Sequence, residues 1–403
     1  MKKTLKLTAL LFLSWAALGA QVANELPGLE AKTPVIMGLG GSFVSVSRGF
    51  DAFFSNPAGF ADSTGQFSLV ATPWVYIAPT TSQIDSYLAA YDGLMAGGFN
   101  ETIGLVNDII TGNGFGLGAV SGVAWTGQNL GLGLYALADS FLVGNNLLGA
   151  AGTIDMDVAM VLGVAFPVEL GPVSLKIGGD IRPSIRARGS LDSRTLGPII
   201  EALSSGGDLF AAFSGVPVDS GFSLAFDLGA ILKVGRLSAG LSVRDLSLPL
   251  GFITTDLSTF LDTLMKGDMP GTDAGVTANV WTLPVIALGA SFDLGFDKMD
   301  PWLDPIVHIE LEDPLRVILD KQSPWNLLHV GAEAKLFRFM TLRAGINKGY
   351  LGMGLGMRLL ILDINAAVFT EELGIRPGDR PRSGVSLEVA LRGDFKPKRK
   401  AGK

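Results

Sequence analysis

The chain has 403 residues, of which 48% are hydrophobic and 17% charged, and its mean hydropathy is +0.40. These values are too apolar for a typical soluble protein and favour residence in a membrane. The formal net charge of −7 excludes the broad basic surface that nucleic-acid binding needs. Because the chain has no cysteine, a disulfide framework, a thiolate metal site and a lipid-modified cysteine are excluded as well.

The start of the chain has the pattern of an export signal. Lysines within the first six residues precede the apolar run 7–18, and small residues follow at Gly19 and Ala20. This pattern predicts a secretory signal peptide over residues 1–20 and an exported mature chain. A single membrane anchor is the alternative, but the apolar run is shorter than the ~20 residues that a spanning helix needs.

The remaining chain alternates between apolar and polar residues with a period of two. In residues 173–188, for example, Ile177, Ile181 and Ile185 alternate with polar and charged side chains. Residues 109–138 carry no charge, but glycines at alternate positions suit a strand much better than a spanning helix. Fourteen such strands can be placed, at 66–77, 115–125, 130–142, 154–168, 173–187, 221–234, 236–246, 283–294, 305–312, 326–336, 339–347, 350–360, 361–370 and 383–392.

These strands predict an all-β fold, a transmembrane antiparallel β-barrel of about fourteen strands over residues 64–395. Several strands have about ten residues or more, which matches the ~9–11 residues that cross a bilayer at a tilt. A secreted β-sandwich also alternates, but the long strands and the signal peptide favour the barrel. The long connections 82–112, 188–220 and 247–282 have helical spacing, so their helices either pack over the barrel mouth or form an apolar vestibule that collects a hydrophobic ligand.

The residues ahead of the first strand carry the most specific motif. They read VIMGLGGSFVSV over 35–46 and FDAFFSNPAGF over 50–60, without the spacing of a nucleotide-binding loop. This motif resembles the N-terminal hatch of the FadL-type outer-membrane transporters of long-chain fatty acids and other hydrophobic compounds; wider relatives include PorV-type barrels. The family's Asn-Pro-Ala motif falls on Asn56, Pro57 and Ala58. The hatch motif is therefore predicted to comprise Gly38, Gly40, Gly41, Asn56, Pro57 and Ala58.

The resemblance implies that residues 21–63 form a hatch inside the barrel lumen. There Asn56 would satisfy exposed backbone groups, and Pro57 would hold a rigid turn. Glycines on one strand face would let the hatch backbone approach the wall. The glycines expected to do so are Gly116, Gly118, Gly131 and Gly133.

The resemblance also implies a function and a location. The expected function is passive uptake of long-chain fatty acids or similar hydrophobic molecules across the outer membrane, from the external loops to a hatch-gated pocket in the lumen. The expected partners are outer-membrane lipids, the hydrophobic ligand and the barrel-insertion machinery. The protein is expected to be a monomer without a cofactor.

A fatty-acid carboxylate in a partly dry pocket needs a positive partner, and arginine offers two parallel hydrogen bonds. Most lumen charges are expected to pair with one another, and the hypothesis is that one or two cations escape. The candidates for the carboxylate, near the middle or upper wall, are Arg182, Arg186, Lys233 and Arg244. The candidates for the apolar tail are Val35, Ile36, Met37, Phe43, Phe50, Phe53 and Phe54.

Catalysis finds little support in the sequence. It has no G-x-S-x-G elbow, and its two histidines, His308 and His329, are not at ligand spacing, so neither an enzyme nor a metal site is predicted. Beyond the strands, the chain ends in the basic tail 396–403. The alternative function is a non-transporting outer-membrane scaffold or adhesin of the same barrel superfamily, which would bind a partner through its loops or this tail.

Overall fold

The computed structural model describes most of the chain from residue 25 onward. The described residues are 25–26, 28, 30–78, 85, 88, 89, 92, 107, 110, 111, 113–146, 149–205, 208–248, 250–267, 278–295, 302–337 and 339–396. The predicted signal peptide, most of the predicted helical loop 82–112 and nearly all of the predicted tail lie outside the described residues. Within the described ranges, no helix is both long enough and apolar enough to cross a membrane.

Fourteen antiparallel strands form the wall of a closed barrel. They are β1 (Gly65–Tyr76), β2 (Gly116–Gly127), β3 (Leu130–Val143), β4 (Ala151–Leu170), β5 (Val173–Leu191), β6 (Pro217–Val234), β7 (Leu237–Ser247), β8 (Val285–Asp293), β9 (Leu303–Glu312), β10 (Leu328–Leu336), β11 (Met340–Asn347), β12 (Tyr350–Leu359), β13 (Leu362–Glu372) and β14 (Pro381–Phe395). Each strand pairs with the next, and β14 pairs with β1, with Phe395 opposite Gly65. The predicted fold class is confirmed, and each predicted strand overlaps an observed one.

The connections give the barrel two different ends. The turns 128–129, 171–172, 235–236 and 360–361 lie at one end, which we call the short-turn end. The opposite end, the long-loop end, carries the longer connections, with the two-residue turn Lys348-Gly349 as the exception. The start of β1 and the end of β14 both lie at the short-turn end, because Gly65 is opposite Phe395.

The outer face of the wall is apolar. On β12, Leu351, Met353, Leu355 and Met357 are exposed, whereas the alternating Gly352 and Gly356 are buried on the inner face. Other strands alternate in the same way, and a closed barrel leaves no strand edge unpaired in lipid. The exposed apolar belt is therefore the lipid-facing surface of a transmembrane barrel.

Short helices occur outside the barrel wall. They are α1 (Pro34–Gly38), α2 (Ser193–Ser205), α3 (Leu209–Ser214), α4 (Leu257–Lys266) and α5 (Pro314–Leu319), with 3₁₀ turns at Gly49–Phe54, Pro57–Ala61 and Pro324–Leu327. Helices α2 and α4 coincide with predicted helical patterns in the long connections. Phe260 of α4 is buried in a cluster with Met156 and Ile185 on the tall strands β4 and β5, which favours packing over the alternative of an open vestibule.

Candidate functional site

The segment between the start of the described chain and β1 lies inside the barrel. Residues 25–26 pair in parallel with Trp281 and Thr282 at the long-loop end, and the chain reaches β1 at the short-turn end. Between these points nearly every residue of 31–61 is buried. This segment contacts the inner face of the wall around most of its circumference, so it fills the lumen.

Glycines on the inner wall make room for this segment. They form pairs across neighbouring strands, such as Gly178 opposite Gly229 and Gly240 opposite Gly289. A Cβ atom at any of them would lie closer than 3.0 Å to the segment, so no larger residue fits without a shift. The glycines that do this are Gly131, Gly133, Gly163, Gly178, Gly229, Gly240, Gly289, Gly331, Gly345 and Gly352.

The positions of these inner-wall glycines correct part of the sequence prediction. Gly131 and Gly133 lie beneath the rings of Phe60 and Phe53, but Gly116 and Gly118 do not touch the segment. A Cβ on Gly116 or Gly118 would instead meet aromatic side chains of β1. Gly116 and Gly118, near the start of β2, therefore make room for Tyr76 and Trp74 of the wall. The alternation of glycines along the sequence does not distinguish this packing within the wall from contact with the lumen segment.

The Asn-Pro-Ala part of the predicted hatch motif lies where the segment meets β6 and β7. The Asn56 amide nitrogen Nδ2 lies 3.0 Å from the Val44 carbonyl, 3.2 Å from that of Ala230 and 3.3 Å from that of Leu241. Its Oδ1 accepts a hydrogen bond of 3.0 Å from the backbone N–H of Ala58 and caps the turn that begins at Pro57. Asn56 thus satisfies backbone groups of both the segment and the wall, the role that the resemblance implied.

Residues 49–61, which we call the aromatic half, are held mainly by ring packing. The ring centroids of Phe50 and Phe53 lie 5.7 Å apart, those of Phe53 and Phe60 5.6 Å apart, and those of Phe54 and Tyr135 of the wall 5.1 Å apart. All are edge-to-face contacts, the favoured arrangement of aromatic pairs. Phe50 and Phe53, which were predicted to hold a ligand tail, pack instead against other aromatic rings of the segment.

Residues 31–48, which we call the ionic half, carry a cation near each end and no charge between them. Lys32 Nζ lies 2.8 Å from Glu371 Oε2, and Arg48 Nη2 lies 2.8 Å from Glu333 Oε1. Burial opposes the charged form of Lys32, but Glu371 and Glu30 outweigh it and hold its pKa above the ordinary value. Two ion pairs, one to β13 and one to β10, therefore fix this half.

The middle of the ionic half is held by hydrogen bonds between wall side chains and its backbone. The Glu310 carboxyl accepts hydrogen bonds from the backbone N–H groups of Phe43 at 2.8 Å and Val44 at 2.9 Å. His329 Nδ1 lies 2.8 Å from the Gly40 carbonyl oxygen, which can only accept, so this ring nitrogen carries the proton. The glycines Gly38, Gly40 and Gly41 pack directly on the backbone or side chains of β10, β11 and β12.

A polar cavity of about 60 Å³, the upper chamber, lies on the long-loop side of this segment. Five acidic residues and three basic residues line it, together with His329 and Asn347. The acidic ones are Glu30, Asp245, Glu310, Glu312 and Glu371, and the basic ones are Arg182, Arg244 and Lys348. Of the predicted tail residues, Ile36, Met37, Phe43 and Phe54 line the same chamber.

The prediction of unpaired cations is wrong for the two arginines of this chamber. Arg182 forms ion pairs with Asp227, at 3.5 Å, and with Asp245. Arg244 lies 2.8 Å from Glu312 and also donates to the Phe54 carbonyl. Because an unpaired charge is costly to bury, each buried arginine has acquired a carboxylate.

The other two predicted cations lie elsewhere. Arg186 Nη1 donates to Thr282 Oγ1 at 2.9 Å, above the chamber. Lys233 is exposed and lies next to the turn 235–236, so its predicted position in the middle or upper wall is wrong. It lines a small cavity with Ser45 and Arg48 at the short-turn end.

A second cavity, the lower cavity, lies on the short-turn side of the segment and has a volume of about 440 Å³. Val35 and Phe50 line it, together with Asp51 of the aromatic half. Its six basic residues outnumber its four acidic ones, the reverse of the upper chamber. The basic ones are Arg48, Lys335, Arg343, Arg358, Arg392 and Lys396, and the acidic ones are Asp51, Asp62, Asp363 and Asp394.

The sequence prediction missed several residues that hold the segment. Lys32, Glu371 and Glu312 were not singled out, although each contributes to a buried ion pair. Lys32 had one usable signal, because it is a lone charge at the start of an otherwise uncharged stretch. Glu371 is the first of two adjacent acids at the end of β13, where a period of two no longer assigns a face.

Wall and lumen together define a transmembrane β-barrel of the outer-membrane type whose lumen holds its own N-terminal segment. Solved structures of similar fold include the monoaromatic hydrocarbon channel CymD (10% identity, 90% of this chain and 97% of that chain, TM-score 0.48). Others are the Pseudomonas putida toluene transporter TodX (12% identity, 93% and 100%, TM-score 0.44) and a Pseudomonas aeruginosa FadL homologue (13% identity, 93% and 99%, TM-score 0.41). No family model and no curated protein sequence matches the chain. Likenesses at this level do not identify a ligand.

Proposed function

We propose that this protein is an outer-membrane channel for the passive uptake of hydrophobic molecules, with the segment 31–61 as its hatch. The observation that carries the proposal is the position of this segment between two cavities. The upper chamber lies on its long-loop side and the lower cavity on its short-turn side, within one continuous barrel. A molecule that passes between these cavities requires the segment to move.

The way in which the segment is held supports a hatch role over a purely structural plug. A permanent plug gains nothing from charged groups in the lumen, because apolar packing of similar volume is often as stable as a buried ion pair. The ionic half nevertheless depends on Lys32 and Arg48 paired with Glu371 and Glu333. Such pairs can exchange one partner for another, so this half is proposed to move while the aromatic half stays docked.

The proposed orientation follows from the two ends of the barrel. Barrels of this type have short periplasmic turns and longer external loops, so the long-loop end is assigned to the outside. Molecules would enter past the helices at that end, reach the upper chamber, and leave through the lower cavity once the ionic half has moved. Long-chain fatty acids are the ligand that the family resemblance suggests, and other hydrophobic molecules are equally compatible with the wall.

Uptake by whole cells tests this function. Gram-negative cells that make the protein are compared with cells that make an equal amount of an unrelated barrel, using labelled dodecanol and labelled dodecanoate. The proposal predicts faster, saturable accumulation of at least one probe. If neither probe accumulates faster while the barrel is folded in the membrane, the non-transporting scaffold or adhesin becomes the better account.

A further inference from the structure

The upper chamber is a site of defined polarity, and this polarity restricts the ligand. Its volume of about 60 Å³ has room for about four water molecules, so only the polar end of a long molecule fits. Residues of β5, β7, β8, β9, β10, β11 and β13 and of both halves of the lumen segment line it. The chemistry of these side chains therefore decides which polar end is accepted.

Most of the described cations around the chamber are already paired; among the described residues, the lining Lys348 at the long-loop end forms no ion pair. Arg182 and Arg244 are each paired with wall carboxylates, and Lys32 behind the chamber lies within 3.0 Å of Glu30 and Glu371. A carboxylate ligand that bound either arginine would have to displace its wall carboxylate, and one that bound Lys348 would still enter a cavity whose acids outnumber its bases. Like charges in a site of low dielectric repel strongly.

Two unpartnered acceptors point to the ligand that fits. Within the described residues, Asn347 Oδ1 and His329 Nε2 are buried and have no hydrogen-bond partner. Because His329 Nδ1 carries its proton toward Gly40, Nε2 of the neutral ring is an acceptor, and it lies 3.7 Å from Glu312 Oε2. Among the described residues that line the chamber, Arg244 Nε–H is a buried donor without a hydrogen-bond partner. A carboxylate offers only acceptors, whereas a hydroxyl group both donates and accepts.

We infer that the upper chamber selects hydrophobic molecules whose polar end is uncharged and donates a hydrogen bond, such as long-chain alcohols, and discriminates against fatty-acid anions. This inference rests on the proposed function and narrows its ligand class. It replaces the carboxylate site that the sequence suggested around Arg182 and Arg244. Discrimination arises because the arginines that could bind a carboxylate are already neutralised by Asp227, Asp245 and Glu312.

Binding to the purified full-length barrel in lipid nanodiscs at pH 7.5 tests the inference. Saturation with labelled dodecanol is compared with saturation with labelled dodecanoate, which has the same chain length. The expected result is at least tenfold tighter binding of dodecanol. Ala287→Leu, which adds a side chain to the chamber wall, should weaken dodecanol binding at least tenfold. Equal or tighter binding of dodecanoate overturns the inference but leaves the channel intact.

A second variant tests the cause of the selectivity. Glu312→Gln removes the carboxylate that pairs with Arg244 and should raise dodecanoate affinity at least tenfold, with dodecanol changing less than about threefold. Asp304→Asn is the matched control, because Asp304 is a partly exposed wall carboxylate that pairs with Lys335 outside the chamber. Unchanged dodecanoate affinity in Glu312→Gln contradicts the electrostatic cause. If wild-type protein shows no saturable binding of either probe, the proposed function itself fails.

Discussion

The two halves of the lumen segment both pack on glycines of the inner wall, but different interactions stabilise them there. Both halves rest on inner-wall glycines, such as Gly163 under Phe60 and Gly345 under Gly40. The aromatic half then fills its side of the lumen with phenylalanine rings and has a single charged residue, Asp51. The ionic half has no aromatic cluster and is fixed at its two ends by Lys32 and Arg48.

This difference shows how one segment can be both anchored and movable. Ring packing in a close-fitting groove loses many contacts at once when it opens, so it resists small displacements. A few ion pairs can be broken one at a time, and each cation can find water or another carboxylate. The aromatic half therefore serves as the anchor and the ionic half as the moving part, and variants in each half should report on that half alone.

The largest effect is expected from Phe60→Ala in the aromatic half. Phe60 is fully buried against Gly131 and Gly163, and a buried Phe→Ala change costs about 3–5 kcal/mol. Hydrogen exchange, followed by mass spectrometry, should show faster exchange over residues 49–61 with little change over 31–48. Gly163→Leu should be damaging alone but partly compensating in the Phe60→Ala background, because its side chain would occupy the vacated space. Equal damage in both backgrounds would contradict this packing.

Lys32→Met should have the next largest effect, confined to the ionic half. Lys32 is almost fully buried, so its replacement leaves Glu30 and Glu371 without this partner. Glu371 keeps its ion pair with Arg382 at 2.6 Å. The free energy that holds the ionic half against the wall should fall by about 2–3 kcal/mol, which is less than the cost of leaving a buried charge with no partner at all. Exchange should accelerate over residues 31–48 and stay unchanged over 49–61. The matched control is Lys176→Met, whose partly exposed pair with Asp62 lies outside the ionic half.

A pH-dependent effect of intermediate size is expected in the aromatic half. Burial, reinforced by Glu388, raises the pKa of Asp51 to about 6. An undocked carboxyl has a pKa near 4, so the docked segment binds the proton more tightly. Docking is thus most stable below about pH 4 and weakens as the pH rises through 6. Exchange protection over residues 49–61 should fall from pH 5 to pH 7.5 in the wild type and not in Asp51→Asn; the same slope in both proteins would refute the assignment.

Arg48→Met should have the smallest effect. Its side chain is 37% exposed, so solvent screens the pair with Glu333, and Glu333 keeps Arg343 at 2.9 Å. The free energy that holds this end of the ionic half against the wall should fall by about 1 kcal/mol. Hydrogen exchange near residue 48 should become modestly faster. A loss as large as that of Lys32→Met would show that the two ends of the ionic half are equally important.

The wall could be predicted from sequence because strand periodicity is local. Alternation places Gly131 and Gly133 on the inner face, and the structure has them there, beneath Phe60 and Phe53. The same alternation sends Asp245 outward if Arg244 points inward. A β-bulge opposite Asp227 gives Asp245 a φ of 59°, and as a result Arg244 and Asp245 both line the upper chamber.

The contacts of the lumen segment could not be predicted, for a related reason. Residues 31–48 have no strand or long-helix period that would assign a face to Lys32. Its partner Glu371 is 339 residues away along the chain, and a single sequence does not encode such a distance. The Asn-Pro-Ala motif was recognised only because the family resemblance marked it, since Asn56-Pro57 alone indicates no more than a turn.

A reversible lock on the ionic half tests the central claim most directly. Val44 of the ionic half has its Cγ1 2.7 Å from the position of a Cβ atom on Gly289 of β8, a separation that a disulfide can span. The chain has no cysteine of its own, so Val44→Cys/Gly289→Cys can be oxidised in a clean background. Val330→Cys/Ile346→Cys, a pair in register on the lipid face, is the control that leaves the segment untied. We predict that oxidation of the first pair reduces dodecanol uptake to the background rate, that reduction restores it, and that the control pair transports in both states. Undiminished uptake through the fully oxidised lock would show that the segment is not the gate.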